Sequence, residues 1–176
     1  TIDHTTRDGR RDYALLSVLF NTGARVQELL DLRAHDIQLT RPYQVRLFGK
    51  GRKERYCPLW PQTAQLLRTL YTDRNLSFTS ASPVFVNHNG MPLTRFGVRY
   101  ILRKYVKRAI PQAPSLTGKR LHPHCIRHST AVHLLKSGVD LTTIGHWLGH
   151  ASTNTTNKYL TVDLEEKRKA LARATP

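Results

Sequence analysis

The stretch that most constrains the fold is HPHCIRHSTAVHLLKSG, residues 122–138. Pro123 suits the first turn of a helix, where a backbone N–H would have no partner inside the helix, and Gly138 suits its end. His124 and Arg127 are three residues apart, so their side chains lie on one face of this helix. For a lone histidine at such a place, a structural role is the commoner one. The stretch therefore predicts a helix that presents a histidine and an arginine together.

Several histidines in this part of the chain are possible metal ligands. A zinc site built on His122, His124 and Cys125 would need a second pair of ligands, which the sequence does not offer. His146 and His150 are four residues apart, but no Glu follows the first, so the metalloprotease signature fails. We therefore predict no metal site here.

Helical periodicity and capping residues extend the helical prediction over most of the chain. Polar caps such as Thr94 and Asp140 precede apolar residues that recur every three or four positions. The predicted helices cover residues 11–20, a segment capped by Thr22 that carries Val26 to Leu32, and residues 61–71, 95–109, 123–138, 141–147 and 163–172.

Two segments instead alternate between apolar and polar residues, as strands do. Residues 43–47 alternate in this way, residues 49–52 supply a glycine-rich turn, and residues 55–59 form the returning strand. A short strand is also predicted at residues 84–86. The sequence thus predicts a mainly helical α+β fold with a small three-stranded antiparallel sheet, and residues 1–176 fit one domain.

The charge balance points to the class of partner. The chain has 28 Lys and Arg residues against 12 Asp and Glu, a net charge of +16, and a sequence pI near 10.5. Such an excess favours a polyanionic partner, usually nucleic acid. No apolar run approaches the roughly 20 residues of a membrane-spanning helix. With only two cysteines, too few for a disulfide scaffold, we expect a reducing cytoplasm.

Two basic motifs have the composition of phosphate sites. Arg25 opens a predicted helix with Glu28 three residues later, so a carboxylate can orient a guanidinium beside a helix N-terminus, although an exposed salt bridge is favoured for this motif alone. The hairpin tip carries Lys50, Arg52 and Lys53 but lacks the Lys-Ser/Thr ending of a nucleotide-binding loop. A solvated basic turn explains the tip about equally well.

The C-terminal part contains a tyrosine that follows a polar linker. Gly149 is expected to end a helix and leave His150 in a loop, and a Ser/Thr/Asn-rich linker, residues 152–157, precedes Tyr159. Taken alone, packing in a core is the default role for this tyrosine. Each of these motifs is weak by itself, whereas their order along the chain is informative.

That order resembles the catalytic set of the tyrosine recombinase (phage integrase) family, including its Xer-type bacterial members. The resemblance covers nearly the whole chain, and the spacing of nine residues from His150 to Tyr159 is also typical of the family. The matching residues are Arg25, Lys53, His124, Arg127, His150 and Tyr159.

The resemblance implies a reaction without a cofactor, in which a DNA strand is cut and rejoined. Arg25 and Arg127 would clamp the scissile phosphate, because a guanidinium is always charged and can bond in a bidentate way. Tyr159 would attack phosphorus to form a 3′-phosphotyrosyl link, and Lys53 would protonate the leaving 5′ oxygen. His124 would assist proton transfer around the tyrosine.

The remaining expected roles concern support and DNA contact. By resemblance, His150 would donate a hydrogen bond to the phosphate and Glu28 would support Arg25. Double-stranded DNA is the expected partner, bound by a homotetramer, with accessory DNA-binding proteins as further candidates. The resemblance also implies a bacterial cytoplasmic protein associated with the nucleoid. Basic residues of the hairpin and of the long helix are the predicted DNA contacts: Lys50, Arg52, Arg55, Arg95, Arg99 and Arg103.

The chain departs from the family pattern in three places. Cys57 stands where an aliphatic residue is more usual, and we expect it to be a small buried hydrophobe. Tyr159 is followed by Leu160 and Thr161 rather than Thr-His. Family members usually carry a preceding helical domain that grips the other side of the DNA, so we expect this chain to be a fragment that binds DNA weakly on its own.

Three other functions compete with recombination. The first is DNA relaxation of the type IB topoisomerase kind, which uses the same phosphotyrosine chemistry. The second is a non-catalytic DNA-binding protein on this fold, and the third is an RNA-binding protein explained by charge alone. The ordered motifs favour a recombinase, and integration, excision, transposition and dimer resolution all stay open as its biological task.

Overall fold

A computed structural model describes residues 2–49, 51 and 53–149, and within them the protein is mainly helical. The predicted α+β class is confirmed, while the predicted helix at residues 163–172 lies outside the described residues. The helices are α1 (Arg7–Thr22), α2 (Val26–Leu30), α3 (Pro61–Arg74), α4 (Arg95–Ala109), α5 (Pro123–Lys136) and α6 (Leu141–Leu148).

Two of the predicted helix caps are confirmed, and one is wrong. Thr94 Oγ1 accepts a hydrogen bond from Gly97 N at 3.1 Å, and Asp140 Oδ1 accepts one from Thr143 N at 2.9 Å. Thr22, predicted to cap α2, is instead the last residue of α1, where its hydroxyl donates back to the Val18 carbonyl at 2.7 Å, and Arg25 occupies the N-cap position of α2.

The small antiparallel sheet consists of β1 (Ile37–Gln38), β2 (Gln44–Phe48) and β3 (Glu54–Pro58), in that order. The predicted β2–β3 hairpin is confirmed, with Val45 opposite Cys57. The prediction of a strand at residues 84–86 is wrong. Val84 N bonds the Leu32 carbonyl and Val86 forms an isolated bridge, so this segment pairs with different irregular neighbours rather than with one strand.

Helix α1 lies at the centre of the core and packs against both α3 and α5. A smaller apolar cluster joins α5 to α6, and Trp147 contacts both clusters. Cys57 is fully buried among the core residues of the sheet, which confirms its predicted role as a small hydrophobe. Among the described residues, no helix combines the length and apolar character needed to cross a membrane.

Gly23 determines how closely the end of α1 approaches the C-terminal helices. It ends α1 with a left-handed φ of 57°, a conformation that favours glycine. A Cβ atom at this position would overlap Leu148 Cδ2 and would lie 3.4 Å from Thr130 Cγ2. Its carbonyl also accepts a hydrogen bond from Arg127. The α1–α2 turn and the end of α6 are therefore packed together through a glycine.

We expect Gly23→Ala to lower the free energy of unfolding by about 3 kcal/mol, since backbone strain and overpacking both contribute. Urea denaturation of the two proteins measures the difference. Gly90→Ala is the matched control, because Gly90 has a φ of 76° with open space around its would-be Cβ. The control carries strain alone and is expected to lose about 1 kcal/mol. Equal losses in the two variants would contradict the close-packing explanation.

Candidate active site

The N-terminal ends of α2, α4 and α5 meet at a cleft of about 310 Å³. Amide groups at a helix start carry partial positive charge, so convergent helix starts favour an anion. The side chains around the cleft add further positive charge. Its lining residues are Arg25, Val26, Gln27, Arg95, Arg99, His122, Pro123 and His124.

Arg25 is held at the wall of this cleft by a buried carboxylate. Its Nη1 donates to Glu28 Oε1 at 2.8 Å, and its backbone N–H donates to Glu28 Oε2 at 2.9 Å. The Glu28 side chain is 3% exposed, whereas that of Arg25 is 39% exposed. The three-residue spacing seen in the sequence therefore produces a fixed pair, in which the carboxylate is buried and the guanidinium faces solvent.

Arg55 is directed inward, contrary to its prediction as a DNA contact. Its Nη2 lies 2.7 Å from Glu28 Oε2, and its Nε donates to the Trp147 carbonyl at 3.0 Å. Only 11% of the side chain is exposed. Side chains alternate between the two sides of β3, and Arg55 lies on the inner side. The sequence prediction grouped Arg55 with the exposed basic residues of the tip because it did not take this alternation into account.

The same arrangement accounts for the acidity of Glu28. Burial alone raises the pKa of its carboxyl group, but the hydrogen bond and charge of Arg55 lower it, and the bonds from Arg25 lower it further. The balance leaves the pKa of Glu28 below its ordinary value of 4.5. The group is therefore charged at neutral pH, as an anchor for Arg25 must be.

Arg127 and His124 belong to the same helix but have different surroundings. His124 is exposed and lines the cleft, whereas Arg127 is 7% exposed. The Nη1 and Nη2 atoms of Arg127 donate to the carbonyls of Gly23 and Leu148. In the part of the chain that the structure describes, Arg127 therefore ties the end of α1 to the end of α6, and its predicted phosphate contact stays a prediction.

The other predicted catalytic residues lie at the margin of the described structure or beyond it. Lys53 is exposed just before β3, and its carbonyl accepts a bond from Gly49 N at 2.8 Å that closes the hairpin. The predicted residues Lys50, Arg52, His150 and Tyr159 lie outside the described residues.

A second basic cleft of about 560 Å³ continues from the first along α4, with Arg99 and His122 lining both. Arg95, Arg99 and Arg103 are four residues apart, so they occupy one exposed face of α4. Three further cations line the second cleft and were not predicted from the sequence: Lys107, Lys119 and Arg120. Lys107 continues the four-residue spacing of the α4 arginines, so the sequence did contain a signal for it.

Comparison with known proteins identifies the family. Residues 1–166 match the sequence profile of the phage integrase family, so the chain belongs to that family. The tyrosine recombinase XerC of Staphylococcus haemolyticus is 37% identical over 177 residues, which cover 100% of this chain and 57% of the relative.

Two solved structures agree with this assignment. The XerH site-specific recombinase, in a post-cleavage complex with palindromic difH substrate, superposes with a TM-score of 0.78 at 30% identity, over 97% of this chain and 48% of that chain. The XerA recombinase gives a TM-score of 0.78 at 28% identity, over 95% of this chain and 59% of that one. The chain spans about half the length of the curated relatives that it matches.

We expect Glu28→Gln to change the pH dependence of stability. Because the pKa of Glu28 is lower in the folded protein than its ordinary 4.5, the ionised group contributes stability that is present above that value. This contribution is lost as the pH falls through the folded-state pKa, and the glutamine variant lacks it. Urea denaturation between about pH 6 and pH 3 should show the difference between the two proteins shrinking at low pH.

Glu54→Gln is the control for this titration, since Glu54 is an exposed residue of the same hairpin. Its curve should parallel that of the wild-type protein. A difference between wild type and Glu28→Gln that stays constant with pH would contradict the assigned role of the carboxylate.

Proposed function

We propose that this chain is the catalytic domain of a tyrosine recombinase, which cuts and rejoins DNA strands through a covalent 3′-phosphotyrosyl intermediate. One observation carries the proposal: buried Glu28 fixes Arg25 at the wall of a cationic cleft that His124 also lines. Relatives named as recombinases support this assignment over DNA relaxation or binding alone.

The proposed chemistry divides three tasks among side chains. Arg25 and Arg127 neutralise the charge that develops on the phosphate oxygens. The hydroxyl of Tyr159 attacks phosphorus, with His124 assisting the transfer of its proton. The bond from phosphorus to the 5′ oxygen then breaks, and Lys53 donates a proton to that oxygen.

Rejoining reverses the same step. A 5′ hydroxyl attacks the phosphotyrosyl link and gives its proton to Lys53, the bond from phosphorus to the Tyr159 oxygen breaks, and that oxygen regains a proton with the assistance of His124. Because the link conserves the energy of the phosphodiester bond, no nucleotide cofactor is needed. Glu28 keeps Arg25 in place throughout, and His150 donates a hydrogen bond to the phosphate.

The proposed partner is double-stranded DNA, which the basic face of α4 would contact through Arg95, Arg99 and Arg103. Three further cations of the second cleft extend this face. Lys50 and Arg52 at the hairpin tip complete the proposed DNA contacts. We further propose that residues 1–176 form one catalytic domain. The protein would assemble on DNA as a homotetramer in the bacterial cytoplasm, and accessory DNA-binding proteins are further candidate partners.

The central test is covalent attachment of the protein to DNA. The full chain is incubated with a library of random-sequence duplexes, the mixture is denatured, and DNA that stays attached to protein is sequenced. We expect attachment through a 3′ end at defined sites, abolished by Tyr159→Phe and retained by Tyr13→Phe, a substitution of a partly exposed tyrosine on α1. A DNA-binding preparation that forms no adduct would overturn the proposal.

A second test concerns the basic face of α4. If Arg99 contacts a phosphate, Arg99→Gln should weaken binding to all duplex sequences alike and reduce the slope of log affinity against log salt by about 1. Fluorescence anisotropy with a labelled duplex at several salt concentrations measures that slope. Arg41→Gln removes the same charge from an exposed site on the β1–β2 turn and should leave the slope nearly unchanged.

A further inference from the structure

We propose that Arg55 is a positioning residue, which couples the Glu28–Arg25 pair to the end of α6 and to the hairpin that carries Lys53. The inference rests on the proposed function. It assigns a role in that function to Arg55, which the sequence alone predicted to contact DNA. A residue of this kind acts through Arg25 and contacts no substrate itself.

One guanidinium makes both connections. The Nη2 of Arg55 lies 2.7 Å from Glu28 Oε2 in α2, and its Nε lies 3.0 Å from the Trp147 carbonyl near the end of α6. The Sγ of Cys57, two residues further along β3, contacts the same carbonyl at 3.4 Å. Strand β3 is therefore bonded on its inner side to both helices.

The Glu28 carboxylate is shared between the two arginines. Its Oε1 accepts from Arg25 Nη1, while its Oε2 accepts from Arg25 N and from Arg55 Nη2. A buried carboxylate that loses one of its two cationic partners is left undercompensated, so it must move, take up a proton or draw in water. In each case the geometry of Arg25 changes. Arg55 thus determines where Arg25 sits without reaching the cleft.

Gly149 supplies an independent sign of the same coupling. It caps α6 with a left-handed φ of 64°, and a Cβ atom there would lie 3.0 Å from both Cδ and Nη1 of Arg55. The end of α6 is therefore packed directly against the guanidinium, and an added methyl group must displace one or the other. In the sequence the next residue is His150, so the Arg55 contact lies one residue before a proposed phosphate ligand.

The turn of the β2–β3 hairpin also lies close to the Glu28–Arg55 ion pair. A Cβ atom at Gly49 would be 3.5 Å from Glu28 Oε1 and 3.9 Å from Arg55 Nη1, so the start of the turn that leads to Lys53 lies against the ion pair. Gly49, Gly149 and the Glu28 carboxylate therefore all lie close to the Arg55 guanidinium.

The chain contains a matched control for this arrangement. Asp36 is also a buried carboxylate, in the three-residue 3-10 helix Ala34–Asp36, and it accepts from Arg33 N at 3.0 Å. Its strand partner is Arg46 in β2, whose Nη2 lies 2.8 Å from Asp36 Oδ1. Among the described residues, neither Asp36 nor Arg46 lines the cleft. Arg46→Gln therefore removes a similar ion pair, in which the arginine is 33% rather than 11% exposed, from the same sheet without touching the proposed site.

The experiment compares cleavage of two versions of a duplex site found by covalent trapping. One carries an ordinary scissile phosphate, and the other carries a methylphosphonate, in which a methyl group replaces a charged oxygen. The neutral substrate develops less charge in the transition state, so it depends less on a correctly placed arginine. A variant that acts through Arg25 therefore loses less activity on the methylphosphonate, whereas a variant that merely folds poorly loses the same on both.

We expect Arg55→Gln to slow cleavage of the ordinary phosphate on the order of 100-fold, as displaced catalytic groups do. The loss should be smaller on the methylphosphonate, with Arg55→Lys intermediate and Arg46→Gln close to wild type on both substrates. Gly149→Ala should reproduce the pattern of Arg55→Gln. Wild-type rates for Arg55→Gln, or an equal loss on the two substrates, would overturn the inference.

A second measurement separates this inference from the proposed function. Carboxyl-group NMR titration of the full chain should show the pKa of Glu28 rising in both Arg55→Gln and Gly149→Ala but not in Arg46→Gln. If the wild-type protein forms no DNA adduct, the proposed function fails, and the coupling is then decided by this titration. An unchanged Glu28 titration in Gly149→Ala would overturn the coupling whatever the protein does to DNA.

Discussion

The buried carboxylate of Glu28 is the constraint on which the arrangement of the site depends. An unpaired charge in a protein interior is costly, and the attraction of a partner offsets that cost only with good geometry. Here two guanidiniums and a backbone N–H meet one carboxylate. The turn before α2 and the strand β3 must therefore lie within hydrogen-bond distance of each other, and the cleft forms beside them.

A second set of bonds holds the C-terminal helices against the same region. Arg127 donates to the carbonyl that ends α1 and to the one that ends α6, while Trp147 Nε1 donates to the Asn21 carbonyl at 3.1 Å. These donors bond to carbonyls at helix ends, which have no partner within their own helix. The last turns of α1 and α6 therefore meet with their polar groups satisfied, and Gly23 allows the close approach.

Local features of the sequence predicted the caps at Thr94 and Asp140, the hairpin and the Glu28–Arg25 pair, because each depends on residues within a few positions. The two-residue strand β1 was missed, since its pairing comes from β2 rather than from its own pattern. The inward direction of Arg55 was also missed, because its carbonyl partner is 92 residues away in sequence. Residue type and spacing indicated candidate members of the site, but only tertiary structure gives the partners of those that are described.

Helix α2 has a consequence of another kind, because it contains only five residues. So short a helix has almost no cooperativity of its own and is stable only through its tertiary contacts. One end is held by the Arg25 pair, and Gln27 Oε1 accepts a bond from Arg95 of α4 at 2.8 Å. Local opening of α2 therefore depends on α4, the helix whose basic face lines the two clefts. Amide hydrogen exchange at residues 26–30 would consequently report whether that face of α4 is occupied.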